Sequence, residues 1–287
     1  MAIKTILMPL RRSDATAGLL RTGPELAHRF GAHLDVLYVR PDARNLLPFA
    51  SLGITRTMRD TLREAAEVNT TDEAAALRAE FEQACAEASL PVVPADDREG
   101  KACAAWVERI GARDEHIARQ GRLADLIVVP RPSRISPPPL SFEAAVMRTG
   151  RPVLMIPRER AVAMTLDRIA IGWNGSKEVA QAMAAAGPCL AAASAVTVLT
   201  TPKRMRQSPN GEDALIYLAR HGIEAGLRIF DPGSRSVGAL LLEEANALEA
   251  DLLLTGGFSR SRLREVALGG VTRHLFTHAG IPVLMLH

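Results

Sequence analysis

The stretch ADLLLTGG at residues 250–257 reveals an internal repeat, because a related stretch, ADLIVV, is found at residues 124–129. A second pair of segments repeats in the same order: GRPVLMI at 150–156 resembles GIPVLML at 280–286. Each half therefore carries the same apolar segments at corresponding places. A repeat of this length indicates a duplicated domain, since the units of a solenoid run about 20 to 50 residues.

Each half alternates short apolar runs with amphipathic stretches, the pattern of a parallel sheet covered by helices on both faces. We predict an α/β fold of two tandem, doubly wound, mainly parallel five-stranded sheets of the Rossmann-like type. The domains are 1–160 and 161–287, joined near 158–166. The predicted strands are 3–9, 34–40, 103–110, 125–130, 152–156, 168–172, 196–199, 225–230, 251–255 and 282–286. The predicted helices include 14–30, 57–88, one from the Ser176 cap to about 192, 210–221 and 236–249.

Composition excludes several classes of protein. Hydrophobic residues make up 47% and charged residues 23%, which is typical of a globular chain. A net charge of +3 with only 4% aromatic residues does not indicate nucleic-acid binding. The scattered Cys85, Cys103 and Cys189 argue against disulfides and zinc, and their apolar surroundings predict buried packing. Without a secretory signal or a run of about 18 apolar residues, we expect a cytoplasmic protein that does not contact membranes.

The loop after the strand at 251–255 is the segment that carries candidate chemistry. Ligands bind outside the carboxyl ends of the strands in a doubly wound sheet. Gly256 lets the backbone approach an anion, and Gly269 and Gly270 open a helix whose first amides have no intrahelical acceptor. Arg260 adds positive charge beside them. The pattern indicates a phosphate site, and a plain glycine turn with a helix cap is the alternative that the residues leave open.

The corresponding loop of the first half has a different composition. It reads PRPSRISPPPL at residues 130–140. Prolines lack amide hydrogens, so this run cannot form a cradle of backbone donors. We therefore predict that the first half keeps the fold but binds no phosphate at this loop.

The whole chain resembles a tandem universal stress protein, the first copy being the more diverged. Nucleotide-binding members of that family carry Gly, two residues, Gly, nine residues, Gly and then Ser or Thr after the fourth strand. Here Gly256 and Gly269 match the pattern, whereas Ser259 and Gly270 depart from it. The family's acidic residue at the end of the first strand aligns with Asn174. The resemblance implies a fold of the adenine nucleotide alpha hydrolase type.

The resemblance also implies a function for the second half. We expect a stress-response module that binds ATP or a related adenine nucleotide, with Mg²⁺ accompanying it, and whose bound state alters its interactions with unknown protein partners. A scaffold without nucleotide is the first alternative, and a nucleotide-using hydrolase or transferase is the second. No catalytic residue is identified, so enzymatic activity stays undecided. The expected nucleotide contacts are Asn174, Thr200, Gly256, Phe258, Ser259, Arg260, Gly269, Gly270, Val271 and Thr272.

Other polar residues favour structural roles. His274 and His278 are four residues apart on the last helix, a spacing that suits a metal pair. Without a third ligand nearby, an ordinary helix surface is favoured, and no metal site is predicted. Asp125 and Asp251 begin strands at the end away from the crevice, which favours a capping or turn role over catalysis.

Each half ends in an apolar strand, at 152–156 and at 282–286. The resemblance implies that these edge strands pair across a two-fold axis. Within one chain the two halves would then form an intramolecular pseudo-dimer, and assembly into a homodimer stays open. Such pairing also covers apolar edges that would otherwise invite aggregation.

Overall fold

Ten strands form one continuous sheet in the computed structural model, which describes residues 2–42, 56–133, 138–158, 164–257 and 270–287. The strands are β1 Thr5–Leu10, β2 His33–Arg40, β3 Cys103–Ile110, β4 Leu126–Pro130, β5 Val153–Ile156, β6 Arg168–Gly172, β7 Ala195–Thr200, β8 Gly226–Ile229, β9 Leu252–Gly256 and β10 Val283–Leu286. The helices are α1 Thr16–Phe30, α2 Arg56–Glu87, α3 Arg113–Gln120, α4 Leu140–Met147, α5 Lys177–Ala185, α6 Gly187–Ala192, α7 Pro202–Met205, α8 Gly211–Arg220, α9 Val237–Ala247 and α10 Gly270–His278.

The strand order across the sheet is β3-β2-β1-β4-β5-β10-β9-β6-β7-β8. Counted from the middle outward, each half has its fifth, fourth, first, second and third strand in turn. Neighbouring strands are parallel everywhere except at β5 and β10. The α/β class and the mainly parallel arrangement are confirmed. The two predicted five-stranded sheets are joined through the edge strands β5 and β10 into one sheet of ten strands.

The junction between the halves is an antiparallel pairing of equivalent residues. Leu284 lies opposite Leu154, and both are the central leucine of the repeated PVLM segment. Beside the junction, Phe142 of α4 and Phe276 of α10 pack edge to face with ring centroids 4.9 Å apart. The predicted pairing of the two edge strands is confirmed. The division into domains stays a prediction, and residues 159–163 of its junction lie outside the described ranges.

Two hydrophobic clusters lie on the two faces of the sheet, and each extends through both halves. Leu154 and Leu284 belong to one cluster, whereas their neighbours Val153 and Val283 belong to the other. This division follows from the alternation of side chains along a strand.

The predicted apolar stripe of the long helix α2 is confirmed at Leu77, Phe81 and Cys85, which are fully buried. The side chains of its other members, Leu62 and Ala66, are not described.

One predicted helix is wrong in detail. The single helix expected from the Ser176 cap to about 192 is two helices, α5 and α6, that meet at Ala186. Pro188 causes the break, because proline lacks an amide hydrogen and its ring clashes with the carbonyl four residues earlier. The Ser176 side chain caps α5 by accepting a hydrogen bond from the amide of Val179. Across the described ranges, no helix is both long and apolar enough to cross a membrane.

Candidate functional site

A cavity of about 350 Å³ opens at the carboxyl ends of three strands of the second half. Gly172 ends β6, Thr200 ends β7 and Gly256 ends β9, and all three residues line the cavity. This is the edge of a doubly wound sheet where ligands are expected. The described lining residues are Gly172, Trp173, Asn174, Ser176, Leu199, Thr200, Thr201, Lys203, Arg204, Phe230, Val237, Leu241, Thr255, Gly256, Gly270, Val271 and Thr272.

The cavity brings together six of the residues expected to contact a nucleotide. They are Asn174, Thr200, Gly256, Gly270, Val271 and Thr272. The remaining four, Phe258, Ser259, Arg260 and Gly269, lie outside the described residues. The structure thus places β6, β7, β9 and the start of α10 around one space, as the sequence interpretation requires. Whether a ligand occupies this space stays a prediction.

Asn174 helps to shape the turn between β6 and α5. Its side-chain oxygen accepts a hydrogen bond from the amide of Ser176 at 2.9 Å. Gly175 between them has φ of +74°, a conformation that glycine adopts at little cost. An acidic side chain would offer acceptors only, whereas the carboxamide of Asn174 also carries an NH₂ donor. The replacement of acid by amide therefore gives the cavity a neutral group that can donate to an anion.

Thr200 lines the cavity, but its polar groups already have partners. Its hydroxyl donates to the carbonyl of Trp173 at 3.1 Å, and its carbonyl accepts from the amide of Phe230 at 2.9 Å. The residue is only 1% exposed. Its hydroxyl proton is thus already used inside the protein, and its expected role as an adenine-side contact stays a prediction. The neighbouring Thr201, which also lines the cavity, is the more accessible residue at this position and was missed by sequence reasoning.

Gly256 is needed for packing as well as for its position at the cavity. A Cβ placed there would lie 2.9 Å from the amide nitrogen of Val179 and 3.1 Å from Cβ of Glu178. The end of β9 therefore packs directly against the first turn of α5. The next residue, Gly257, donates its amide to Leu286 O at 2.8 Å, so that amide is used inside the sheet.

The described start of α10 lies at the cavity. Gly270, Val271 and Thr272 are the first described residues of this helix, and all three line the cavity. The helix is held close by Gly238 of α9, where a Cβ would lie 2.9 Å from Cα of Val271. Sequence reasoning missed Gly238; its signal is a glycine within a helix that must pack against another helix. The described start of α10 is thus held beside the cavity by its packing against α9.

The remaining walls combine apolar surface with positive charge. Trp173, Phe230 and Leu241 supply buried apolar side chains, and Lys203 and Arg204 are exposed at the rim. Among the described lining residues there is no carboxylate. Sequence reasoning did not identify these five residues, because they lie on elements that only the fold brings to the loop. An apolar wall beside cations and beside the backbone of Gly270 and Val271 suits a ligand that has a flat apolar part and an anionic part.

The first half has a smaller cavity, of about 100 Å³, at the corresponding edge of its sheet. Its lining includes Pro9, Pro130 and Pro139, together with Arg11 and Arg113. Burial and the nearby Arg11 lower the pKa of the Arg113 guanidinium. The prolines supply no amide donors, so the expected difference between the halves stays the favoured interpretation for the described part of this loop.

The acidic residues at the strand starts tie neighbouring strands together. Asp125 accepts hydrogen bonds from the amides of Lys4 and Thr5 at 2.9 and 3.0 Å. Asp251 accepts from the amides of Asp167 and Arg168 at 2.8 and 3.1 Å. The expected structural role for both aspartates is confirmed by these contacts.

The candidate histidine pair lies on the surface of α10. The rings of His274 and His278 stack with centroids 4.2 Å apart, and Nδ1 of His278 lies 3.2 Å from the carbonyl oxygen of His274. Burial, followed by the nearby His278, lowers the pKa of His274. Among the described residues, no carboxylate or thiol joins the pair in a metal-binding group.

Two of the three cysteines have the expected apolar environment. Burial raises the pKa of the Cys85 thiol to about 12 and that of Cys189 to about 11. Cys103 corrects the expectation. It is buried, but its Sγ lies 3.1 Å from Nδ1 of His33 and 3.2 Å from the carbonyl oxygen of Lys101. The surroundings of Cys103 are therefore polar, because His33 and Cys103 are direct partners at the starts of two neighbouring strands.

Comparisons with known proteins agree with this fold. The model of the Universal stress protein family matches residues 165–287. A universal stress protein from Archaeoglobus fulgidus DSM 4304 has a similar structure, with a TM-score of 0.66 and 15% identity over 98% of this chain and 95% of that one. A functionally unknown protein from Pseudomonas aeruginosa PAO1 has a TM-score of 0.54 and 14% identity, over 99% and 92% of the two chains.

A third structure with a similar fold is a domain of a different kind of protein. The cytoplasmic domain of a prokaryotic cation chloride cotransporter has a TM-score of 0.52 and 11% identity, with 99% and 95% of the two chains covered. No curated protein matches the sequence. Identities this low show the fold and not the function. Residues 165–287 match the universal stress protein family, and the chain as a whole has the fold of a solved universal stress protein.

Proposed function

We propose that the protein is a stress-response module that binds ATP or another adenine nucleotide in the cavity of its second half. The observation that carries the proposal is the placement of two different surfaces around one space. The first turn of α10, at Gly270 and Val271, lies on one side, and apolar walls at Trp173, Phe230 and Leu241 supply the other. A nucleotide has an anionic part and a flat apolar part to match them.

The size and charge of the cavity support the same ligand. A volume of about 350 Å³ falls within the roughly 300–1,000 Å³ typical of small-molecule sites. Lys203 and Arg204 lie at its rim, and positive charge at a cavity mouth attracts anions and raises their local concentration. Since the described lining residues include no carboxylate, an accompanying Mg²⁺ would be held by the nucleotide's own phosphates.

The same residues favour binding over chemistry. The described lining offers hydroxyl, carboxamide, lysine and arginine groups but no carboxylate or histidine to act as a general base. The bound nucleotide would instead alter the surface around α10. Nucleotide binding would therefore change the interactions with partner proteins, and the nucleotide would not be turned over.

A scaffold without nucleotide is the competing proposal, and one observation favours it. Thr200 has both its hydroxyl and its carbonyl in internal hydrogen bonds, so the adenine side of the cavity has fewer polar contacts than the sequence suggests.

Mass spectrometry of the small molecules released from the purified, denatured protein separates the two proposals. We expect an adenine nucleotide from the wild type and a marked loss of it from Lys203→Glu, because a carboxylate at the rim repels the phosphates. Lys101→Glu is the matched control, since its ammonium group is exposed in the first half, pairs with the exposed Glu99 and does not line the cavity. Absence of any nucleotide, together with no rise in the melting temperature on adding ATP, would favour the scaffold.

A further inference from the structure

A group of metal-ligand residues lies at the other end of the strands, in the first half. His33 is the first residue of β2 and Cys103 the first residue of β3, and the two are direct partners in the parallel register. Asp97 lies in the segment that precedes β3. The group is therefore at the amino edge of the sheet and belongs to different strands from the nucleotide cavity. Five strand spacings separate β2 from β9, roughly 24 Å.

The three side chains converge on one point. Nδ1 of His33 lies 3.1 Å from Sγ of Cys103, and Oδ2 of Asp97 lies 4.0 Å from the same sulfur. One ligand atom from each residue lies within 4.8 Å of the others. Ligands bound at about 2.0–2.3 Å from a shared zinc ion lie roughly 3–4 Å apart, so small side-chain movements would complete the coordination.

The opposite nitrogen of the histidine is held in place by a second carboxylate. Nε2 of His33 lies 3.1 Å from Oδ1 of Asp35, two residues along the same strand. Side chains at i and i+2 point to the same face of a strand, which explains the contact. A carboxylate on the far nitrogen of a histidine fixes the tautomer and orients the ring toward a metal, as in many zinc sites. This contact leaves Nδ1 as the nitrogen that faces Cys103.

We infer that His33, Asp97 and Cys103 bind one Zn²⁺ ion, with water as the fourth ligand and Asp35 as the residue that positions His33. Thiolate and imidazole ligands with a carboxylate select zinc over magnesium or calcium. Binding transfers the Cys103 thiol proton to solvent as the sulfur–zinc bond forms. A role for Cys103 as a nucleophile is disfavoured, because the residue is 4% exposed and a substrate could not reach its sulfur as a small ion can.

Zinc titration of the full-length, chelator-treated protein against a competing chelator tests the inference. We expect one Zn²⁺ per chain, released protons on binding, and at least a tenfold loss of affinity in Cys103→Ser. Co²⁺ in place of Zn²⁺ should give a sulfur-to-cobalt charge-transfer band that Cys103→Ser removes. Asp35→Asn should weaken zinc by about 10- to 100-fold while keeping that band, which a merely structural role would not predict.

One further ligand variant and two controls complete the test. Asp97→Asn alters a loop residue outside the strands, so it should fold normally and still weaken zinc if Cys103→Ser does not fold. Cys189→Ser removes a different buried thiol and should leave zinc affinity unchanged. His274→Ala removes one ring of the surface histidine pair and should also have no effect. A wild type that binds no zinc, or zinc that depends on His274 and not on Cys103, would overturn the inference.

Discussion

The carboxylate of Asp251 accepts a hydrogen bond from the backbone amide of Arg168, with 3.1 Å between the two atoms. It thereby links the start of β9 to the start of its neighbour β6. The first half contains the same arrangement, in which Asp125 before β4 accepts from the amide of Thr5 at the start of β1. In each half the aspartate stands immediately before the first residue of the later strand. These contacts hold the starts of the two neighbouring strands in each half at fixed positions relative to each other. The opposite ends of the same strands line the cavities.

Replacing Asp125 by alanine is expected to destabilise the protein. Its Oδ2 accepts from the amides of Lys4 and Thr5 and from the Thr5 hydroxyl, and the loss leaves those donors without this acceptor. We expect a cost of about 1–3 kcal/mol in the free energy of unfolding, measured in urea. Glu115→Ala, which breaks an exposed ion pair, is the control and should cost less than about 1 kcal/mol. Equal effects would show that the aspartate does not tie the strands.

The junction of the two halves makes a second prediction. Leu154 is 2% exposed and lies opposite Leu284 in the antiparallel pair. Leu154→Ala leaves a cavity in the shared core and should cost about 2–5 kcal/mol of unfolding free energy. Leu123→Ala makes the same chemical change at a residue that is 83% exposed, and should cost less than about 0.5 kcal/mol. A small effect at Leu154 would contradict a tightly packed junction.

The two described glycines of the predicted phosphate loop should respond differently to alanine. At Gly256 a Cβ meets the amide nitrogen of Val179 at 2.9 Å, so Gly256→Ala should cost about 1–3 kcal/mol of unfolding free energy. At Gly270 no atom of the described residues lies within 4 Å of a Cβ, so Gly270→Ala should change stability by less than about 0.5 kcal/mol. Thermal or urea unfolding of both variants measures the difference, and the reverse order would refute the packing of β9 against α5.

Cys189 predicts a dependence of stability on pH. An ordinary thiol has a pKa of 9.0, and burial raises that of folded Cys189 to about 11. The folded state therefore holds the proton more tightly, and the stability that this thiol contributes is complete below pH 9 and lost as the pH rises through 11. Urea unfolding of wild type and Cys189→Ala at pH 8 and pH 10 measures it. The advantage of the wild type should shrink at pH 10, and a constant difference would contradict the raised pKa.

Much of the fold can be predicted from the sequence, because the spacing and the length of apolar runs indicate whether a segment forms a strand or a helix. All ten predicted strands are present, and β3 and β6 have the predicted bounds. The break at Pro188 was readable from the residue itself, yet the alanine-rich surroundings favoured one helix. The joining of the two sheets depended on strands at 152–156 and 282–286 that are far apart in the chain, and only the family resemblance suggested it.

The candidate site was predictable where its residues lie at the carboxyl ends of strands or in the loop that carries the glycines. Gly256 ends β9 and Asn174 follows the end of β6, so their position at the cavity could be inferred. The apolar wall at Trp173 and the cations at the rim come from other elements, whose approach depends on tertiary packing. The internal hydrogen bonds of Thr200 have the same origin. The contact of His33 with Cys103 required the alignment of two strands separated by the long helix α2.

Isothermal titration calorimetry with ATP on the wild type, Gly270→Glu and Gly270→Ala tests nucleotide binding at the cavity. We expect one site in the wild type and in Gly270→Ala, and at least tenfold weaker binding in Gly270→Glu, because a carboxylate then stands at the described start of α10, beside the proposed position of the phosphates. Zinc binding should be the same in all three proteins. No heat from the wild type, or equal affinity in the glutamate variant, would contradict nucleotide binding at this cavity.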